Sequence, residues 1–231
     1  MNSALLTIDD VPSSNTPRRV DYLREKGIQP ILFAVGENIE KYYREALYAV
    51  QQGCILGNHS YSHPHFSALD MAECTAEIHQ CECLLDQLYR EAGIRRPCRP
   101  FRFPYGDKGG RNKDLIQRYL ADHHFDKVDD RHIPYSWWKK YGMDRDIDTF
   151  WTFDFEEYRL AQDPDFTMQQ VWNKMNDPTP SYGAALFSEN HRHILLMHDF
   201  DETETVMPGY YRVFLDYLLD RGMIFDKPTF Q

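Results

Sequence analysis

The sequence has no long apolar stretches, no long basic runs and no C-x2-C cysteine pair. No apolar stretch approaches the roughly 18 residues of a membrane span, and no Lys/Arg run exceeds two residues. With a formal net charge of −10, this pattern argues against nucleic acid and against a membrane surface as the main partner. The five cysteines form no C-x2-C pair, and MNSALLTIDD lacks the features of a signal peptide. We therefore expect a cytoplasmic protein.

Composition and hydrophobic periodicity indicate a single α/β domain over residues 1–231. Of these residues, 42% are hydrophobic, which is enough for one sizeable core. Short apolar runs alternate with amphipathic segments, which predicts parallel βα units with right-handed crossovers. The predicted strands are 5–8, 31–35, 54–57, 99–103, 125–128, 150–155 and 193–197. About seven parallel strands favour a distorted (β/α)-barrel, and an open sheet of five or six strands is the alternative.

Two sequence segments together offer the ligands of a divalent metal. Asp9 and Asp10 follow the first predicted strand, and His59-Ser-Tyr-Ser-His63 follows the third. Histidines at i and i+4 project from one face of a helical turn. Two imidazoles and one carboxylate leave a coordination position open for water, which is typical of catalytic zinc. Each piece alone has an ordinary alternative, since Asp pairs are common at helix starts and a His-x3-His pattern arises on surfaces by chance.

Three further polar groups follow later strands. Arg102 to Gly106 closes the fourth predicted strand, Asp154 and Glu157 follow the sixth, and His198 follows the seventh. In a parallel barrel, functional residues lie at the C-terminal ends of the strands. All five groups are therefore expected on one rim, where they would form one site.

These residues resemble the five ordered motifs of the polysaccharide deacetylases, which are carbohydrate esterase family 4 or the NodB-homology domain. Each of the five motifs has a counterpart in this sequence. T-F-D-D-G corresponds to Thr7–Val11, H-[ST]-x-x-H to His59–His63 and R-x-P-Y to Arg102–Tyr105. D-x-x-D-W corresponds to Asp154–Tyr158, and L-x-H corresponds to Leu196–His198. The resemblance spans nearly the whole chain. It implies the deacetylase type of distorted barrel.

The resemblance also implies a metal and a base. Asp10, His59 and His63 would hold the ion, most often Zn²⁺ in this family, with Co²⁺ as a possibility. Asp9 would act as the general base on water, and Arg102 would pair with Asp9 and orient it.

By the same resemblance, the other motifs supply an acid and a pocket for the acyl group. His198 would be the general acid, with Glu157 orienting it and tuning its pKa. The backbone N–H of Tyr105 would help to bind the oxyanion. Leu196 and Tyr158 would enclose the acetyl methyl group.

Two positions depart from the family pattern. Val11 stands where the motif has Gly, and Glu157-Tyr158 stands where it has Asp-Trp. Neither change removes a required functional group, but both favour an unusual acyl or substrate preference. Trp137, Trp138 and Tyr141 could stack on a sugar ring, cover a core edge or form a subunit contact.

The predicted function is metal-dependent removal of an N-acetyl group from an amino sugar or its oligomer or polymer. Two alternatives stay open. One is an amidohydrolase acting on a small amide such as a formamide or a ureide, which would suit a cytoplasmic location. The other is a catalytically silent carbohydrate-binding barrel. The sequence does not indicate an oligomeric state.

Overall fold

The long strand β1 (Ser3–Val11) lies inside the sheet, and all of its side chains after Ser3 are buried. The computed structural model describes residues 2–187 and 191–231. Parallel strands flank β1 in the order β3-β2-β1-β5-β4, and β6 pairs with the start of β1. The remaining bounds are β2 (Ile31–Ala34), β3 (Ile55–Asn58), β4 (Phe153–Asp154), β5 (Arg192–His198) and β6 (Ile224–Phe225).

Helices follow most strands and cover the sheet. The longest, α4, begins at a capping box in which Glu73 N–H donates to Asp70 Oδ1 and Asp70 N–H donates to Glu73 Oε2. None of the described helices is both long and apolar enough to cross a membrane. The helices are α1 (Thr16–Glu25), α2 (Gly36–Lys41), α3 (Tyr43–Gln51), α4 (Met71–Glu91), α5 (Lys113–Asp122), α6 (Ser136–Lys140), α7 (Arg159–Gln162), α8 (Met168–Met175), α9 (Asp201–Val206) and α10 (Tyr210–Asp220).

The parallel α/β fold is confirmed, with about six strands in the sheet where seven were predicted. Segment 99–103 contributes a single parallel bridge, between Phe101 and Asn58, since Pro100 lacks an N–H for a regular ladder. Segment 125–128 forms only an antiparallel bridge from Val128 to Phe230. The two-residue strand β6 was not predicted.

The two edges of the sheet approach each other, as a distorted barrel requires. Arg102 N–H donates to Asn58 O at 3.0 Å, so the segment around Phe101 extends the β3 edge. Thr149, just before β4, donates its N–H to Phe101 O at 2.8 Å. Because the strands are parallel, their carboxyl ends meet at one rim.

The tryptophan-rich excursion covers one edge of the core. Trp138 is buried against Ile133 and Ile194 and donates its indole N–H to Asp130 at 2.8 Å. Of the three roles considered for Trp137, Trp138 and Tyr141, the core edge fits Trp138. His193, the first residue of the seventh predicted strand, lies inside β5 and is fully buried.

Candidate metal and catalytic site

The rim carries a concentration of backbone strain. Asp10, Ser60, His63 and Tyr105 have φ between 57° and 67°, a conformation that costs non-glycine residues about 1 kcal/mol or more. Such strain persists where surrounding structure enforces it, most often at functional sites. Val11 is not among these residues. It is buried within β1, so the departure from the family glycine is accommodated without left-handed backbone.

His59 and His63 meet through a loop, so the predicted helical turn is wrong. Asn58 Oδ1 accepts from Ser60 N–H at 2.8 Å, and Ser60 Oγ accepts from His63 N–H at 3.0 Å. These bonds stabilise the left-handed turn at Ser60 and bring the two imidazole centroids within 4.9 Å. The geometry places both rings on the same side of the loop without helical periodicity.

Asp10, His59 and His63 converge at this rim of the sheet. Each offers one ligand atom, and the three atoms lie within 4.8 Å of one another. Asp10 Oδ1 lies 3.1 Å from His63 Nε2 and 3.9 Å from His59 Nε2. His59 Nδ1 lies 2.9 Å from the carbonyl oxygen of Arg102, which fixes the proton there and leaves Nε2 as the free lone pair.

The donor set fits a divalent cation. Burial raises the pKa of Asp10 above its usual value, yet its nearest ionisable partners are imidazoles rather than Lys or Arg among the described residues. Burial also lowers the pKa of His63 to about 3, which keeps that ring neutral and able to ligate. A buried carboxylate whose nearest partners are imidazoles has no Lys or Arg as a counter-ion, and a bound cation would supply the positive charge.

Asp9 differs from its neighbour because it has a full counter-ion. Arg102 Nη1 donates to Asp9 Oδ1 at 2.7 Å and to Thr7 Oγ1 at 2.8 Å, while Nε donates to Thr149 O at 3.0 Å. Arg102 is 1% exposed and its guanidinium lies 4.4 Å from the Phe33 ring centroid. The second carboxylate oxygen of Asp9 is 3.4 Å from His59 Nε2. The two adjacent acids therefore sit in different environments.

His198 stands across the cavity beside two carboxyl groups. Its Nδ1 lies 3.5 Å from Glu157 Oε1, and Glu157 is completely buried. Burial disfavours the imidazolium, but the charge and hydrogen bond of Glu157, with Asp154 and Asp10, outweigh it and raise the pKa of His198 to about 10. Burial raises the pKa of Asp154 to about 6. This cluster is consistent with a protonated His198 paired with carboxylates.

A cavity of about 540 Å³ connects these groups. Asp9, Asp10, His59, His63 and His198 line it, together with the three predicted pocket residues Tyr105, Tyr158 and Leu196. Arg102 and Glu157 are not part of this lining and lie behind Asp9 and His198. The Tyr158 ring packs edge-on against His198 at 4.7 Å.

Two features of the site were not predicted from the sequence. Trp151 lines the cavity and packs against Gly106, where an added Cβ would lie 2.8 Å from the indole. The second is a buried cluster behind His198. Arg19 pairs with Asp199 at 2.6 Å, and both Arg19 and Tyr210 donate to the His198 carbonyl oxygen at 3.1 and 2.6 Å.

Comparison with known proteins agrees with this geometry. The family model "Polysaccharide deacetylase" matches residues 1–125, more than half of the chain. A peptidoglycan-N-acetylglucosamine deacetylase from Bacillus cereus is 34% identical over 95 residues, which are 40% of this chain and 34% of that protein. This chain therefore belongs to the polysaccharide deacetylase family, and it matches about a third of the length of that relative.

Solved structures show the same fold over nearly the entire chain. A polysaccharide deacetylase from Bacillus cereus superposes with a TM-score of 0.66 at 18% identity, covering 98% of this chain and 92% of that one. A carbohydrate esterase family 4 pseudoenzyme from Bacillus anthracis superposes with a TM-score of 0.63 at 20% identity, covering 96% and 62%. Because this fold is found in both an enzyme and a pseudoenzyme, activity must be argued from the residues of the site.

Proposed function

We propose that this protein removes the N-acetyl group of an amino sugar in an oligo- or polysaccharide, releasing acetate, with a divalent metal held by Asp10, His59 and His63. Zn²⁺ is the preferred ion, because two imidazoles and one carboxylate form a common catalytic zinc set, and Co²⁺ is the alternative. The observation that carries the proposal is the convergence of three ligand atoms within 4.8 Å on a cavity that also holds a paired carboxylate and a paired histidine.

Asp9 is the proposed general base. A metal ion at the three ligands would polarise the acetyl carbonyl and make a water molecule more acidic. Asp9 accepts the proton of the attacking water, and the 2.7 Å bond from Arg102 Nη1 orients the carboxylate toward the cavity. The Thr7 and Thr149 contacts of Arg102 restrict that guanidinium to one position.

His198 is the proposed general acid. Its imidazolium donates a proton to the leaving amine as the carbon–nitrogen bond breaks, and Glu157 holds the proton on the ring until then. The backbone N–H of Tyr105 would donate to the developing oxyanion. Leu196 and Tyr158 bound the space for the acetyl methyl group, where Tyr158 replaces the Trp of the family motif.

The cavity favours a saccharide over a small amide. Its volume is about 540 Å³, within the range of about 300–1,000 Å³ that accommodates ligands much larger than a formamide or a ureide. The aromatic side chains of Tyr105, Trp151, Tyr158 and Phe200 line it, and side chains of this kind can pack against sugar rings. A silent binding barrel would require neither the Asp9–Arg102 pair nor the His198–Glu157 pair.

Acetate release tests this proposal. The zinc-loaded protein is expected to release acetate from an N-acetylglucosamine tetrasaccharide and, more slowly, from the monosaccharide. Asp9→Asn should lower the rate by about 100-fold or more, the usual contribution of a general base. Asp122→Asn, at an exposed position, is the matched control and should keep the parental rate. An Asp9→Asn rate equal to that of the parent would contradict the base assignment, and release only from small amides would favour the alternative.

A further inference from the structure

The cavity has an unbalanced set of charged side chains. Its described lining includes the carboxyl groups of Asp9, Asp10, Glu37 and Asp154 and neither Lys nor Arg. The cationic side chain of the lining is the His198 imidazolium, which lies beside Glu157 and Asp154. Asp9 is paired with Arg102, and Asp10 belongs to the proposed metal site. Glu37 lies on the first turn of α2, is exposed, and forms no salt bridge with another described residue. The cavity therefore carries one exposed carboxylate that is not committed to a salt bridge among the described residues.

Hydrogen-bond donors that could receive an anion at this side of the cavity are already used. The Asn38 side-chain amide donates to Asp10 O at 2.7 Å, and the Ser62 hydroxyl donates to Glu77 Oε1 at 2.7 Å. At the start of α2, the Gly36 and Glu37 N–H groups donate to Ser60 O and Tyr61 O. Anionic substituents would therefore find few unpaired donors here.

Two cationic side chains close in sequence to lining residues are already paired. Lys108 binds Asp146 and Asp148 at 2.7 and 3.1 Å. Arg159 binds Asp163 at 2.8 Å, so its guanidinium is also committed. Turning either group toward a substrate carboxylate would break an existing ion pair and gain little net energy. Lys41, one turn beyond Glu37 on α2, does not line the cavity, and its Nζ lies 4.7 Å from the Tyr42 ring centroid.

We propose that the cavity selects saccharides by charge: it accepts chains that are neutral or carry a free ammonium group next to the acetylated sugar, and it rejects chains that carry carboxylates. Glu37 is the specificity-determining residue. The proposal rests on the function proposed above and narrows its substrate to chitin-like or partly deacetylated glucosamine chains. The aromatic faces at the cavity also attract an ammonium group.

One consequence concerns the order of cleavage along a chain. Hydrolysis of one acetamide leaves a free amine that becomes an ammonium group. At the Glu37 side of the cavity this group is attracted, so a partly deacetylated chain remains a good substrate. A cavity with basic residues at its mouth would instead repel its own product.

The test compares three tetrasaccharides by titration calorimetry at about pH 6, where Glu is ionised, and at low salt. The zinc-loaded Asp9→Asn protein is used as the parent, because it should hydrolyse the acetylated probes slowly, and the Glu37 and Glu40 substitutions are compared in the same background. The neutral probe is the N-acetylglucosamine tetramer and the cationic probe is the glucosamine tetramer. The anionic probe alternates N-acetylglucosamine with N-acetylmuramic acid. Glu37→Gln is expected to weaken binding of the cationic probe about fivefold, to strengthen binding of the anionic probe, and to leave the neutral probe unchanged.

Glu40→Gln is the matched control. It removes a carboxylate from the same short helix that does not line the cavity, so it should leave the ratios between probes unchanged. The Glu37 effect should also shrink at high salt. The proposal is overturned if the anionic probe binds the parent as tightly as the neutral one, if Glu37→Gln leaves the ratios unchanged, or if no probe binds.

Acetate release from the acetylated probes, measured with Asp9 intact, separates this proposal from the proposed function. If affinity follows the charge of the probes but no acetate is released, the proposed activity is contradicted and the charge selection stands. Equal acetate release from the neutral and anionic probes, with equal affinity, would contradict the charge selection and leave the activity standing.

Discussion

Replacement of Glu157 by Gln is expected to shift the alkaline limit of activity to lower pH. Glutamine keeps the size of the side chain and an oxygen that can accept from the His198 N–H, but it removes the buried charge. At 3.5 Å between His198 Nδ1 and Glu157 Oε1, an ion pair at an effective dielectric constant of about 20 is worth about 5 kcal/mol. At about 1.4 kcal/mol per pH unit, this corresponds to roughly three pH units.

The magnitude agrees with the raised pKa of His198, which is about 10 against an ordinary value of 6.5. Because burial disfavours the imidazolium in both proteins, the variant should lose the proton from His198 at least about 2 pH units earlier than the parent. A group whose pKa is raised by folding stabilises the protein fully below its unfolded pKa. The stabilisation from His198 is therefore complete below about pH 6.5 and is lost as the pH rises to about 10.

The assay is the pH dependence of kcat/KM for acetate release, combined with denaturant unfolding at several pH values. Glu156→Gln is the matched control, since Glu156 pairs with Lys174 and Arg159 away from His198. The control should leave the alkaline limb in place. If the limb of Glu157→Gln coincides with that of the parent, His198 does not act as an acid governed by Glu157.

Three further perturbations test the structural basis of the site. Asp10→Gly should raise the unfolding free energy of the metal-free protein by about 1 kcal/mol, because it relieves the strain of a φ of 63°. The same change should abolish zinc binding. An unchanged unfolding free energy would argue against backbone strain at this position. Tyr210→Phe removes a 2.6 Å hydrogen bond to the His198 carbonyl oxygen. It should lower kcat and reduce the unfolding free energy by about 1 kcal/mol, with the zinc content unchanged. A kcat equal to that of the parent would show that Tyr210 does not position His198. Gly106→Ala should lower the unfolding free energy by about 1–3 kcal/mol more than Gly53→Ala. An added Cβ meets Trp151 at 2.8 Å at position 106 and nothing within 4 Å at position 53. Equal shifts of the thermal midpoint would contradict the clash.

The convergence of the site could be predicted from sequence because it follows from strand order. Asp9, His59, Arg102 and His198 each end or follow an apolar run, and parallel strands bring such positions to one rim. Periodicity located the runs even where hydrogen bonding is too irregular for a strand, as at 99–103. The polar residues at the run ends could therefore be grouped without any structural information.

Local geometry and long-range support could not be predicted in the same way. The left-handed backbone at Ser60 and His63 depends on side-chain bonds from Asn58 and Ser60, which a helical repeat does not reveal. The contact of Tyr210 with His198, and that of Arg19 with Asp199, depend on the folded arrangement of α1, β5 and α10. A single Arg in an amphipathic helix gives no signal of a buried ion pair 180 residues away.

Metal stoichiometry tests the central claim most directly. After zinc supplementation and gel filtration, elemental mass spectrometry should find about one zinc per chain in the parent, since the three ligand atoms form one site. His63→Gln should reduce this value strongly, whereas His79→Gln, on the exposed face of α4, should retain it. A parent without bound zinc or cobalt, or a His63→Gln variant that binds as much as the parent, would contradict the account.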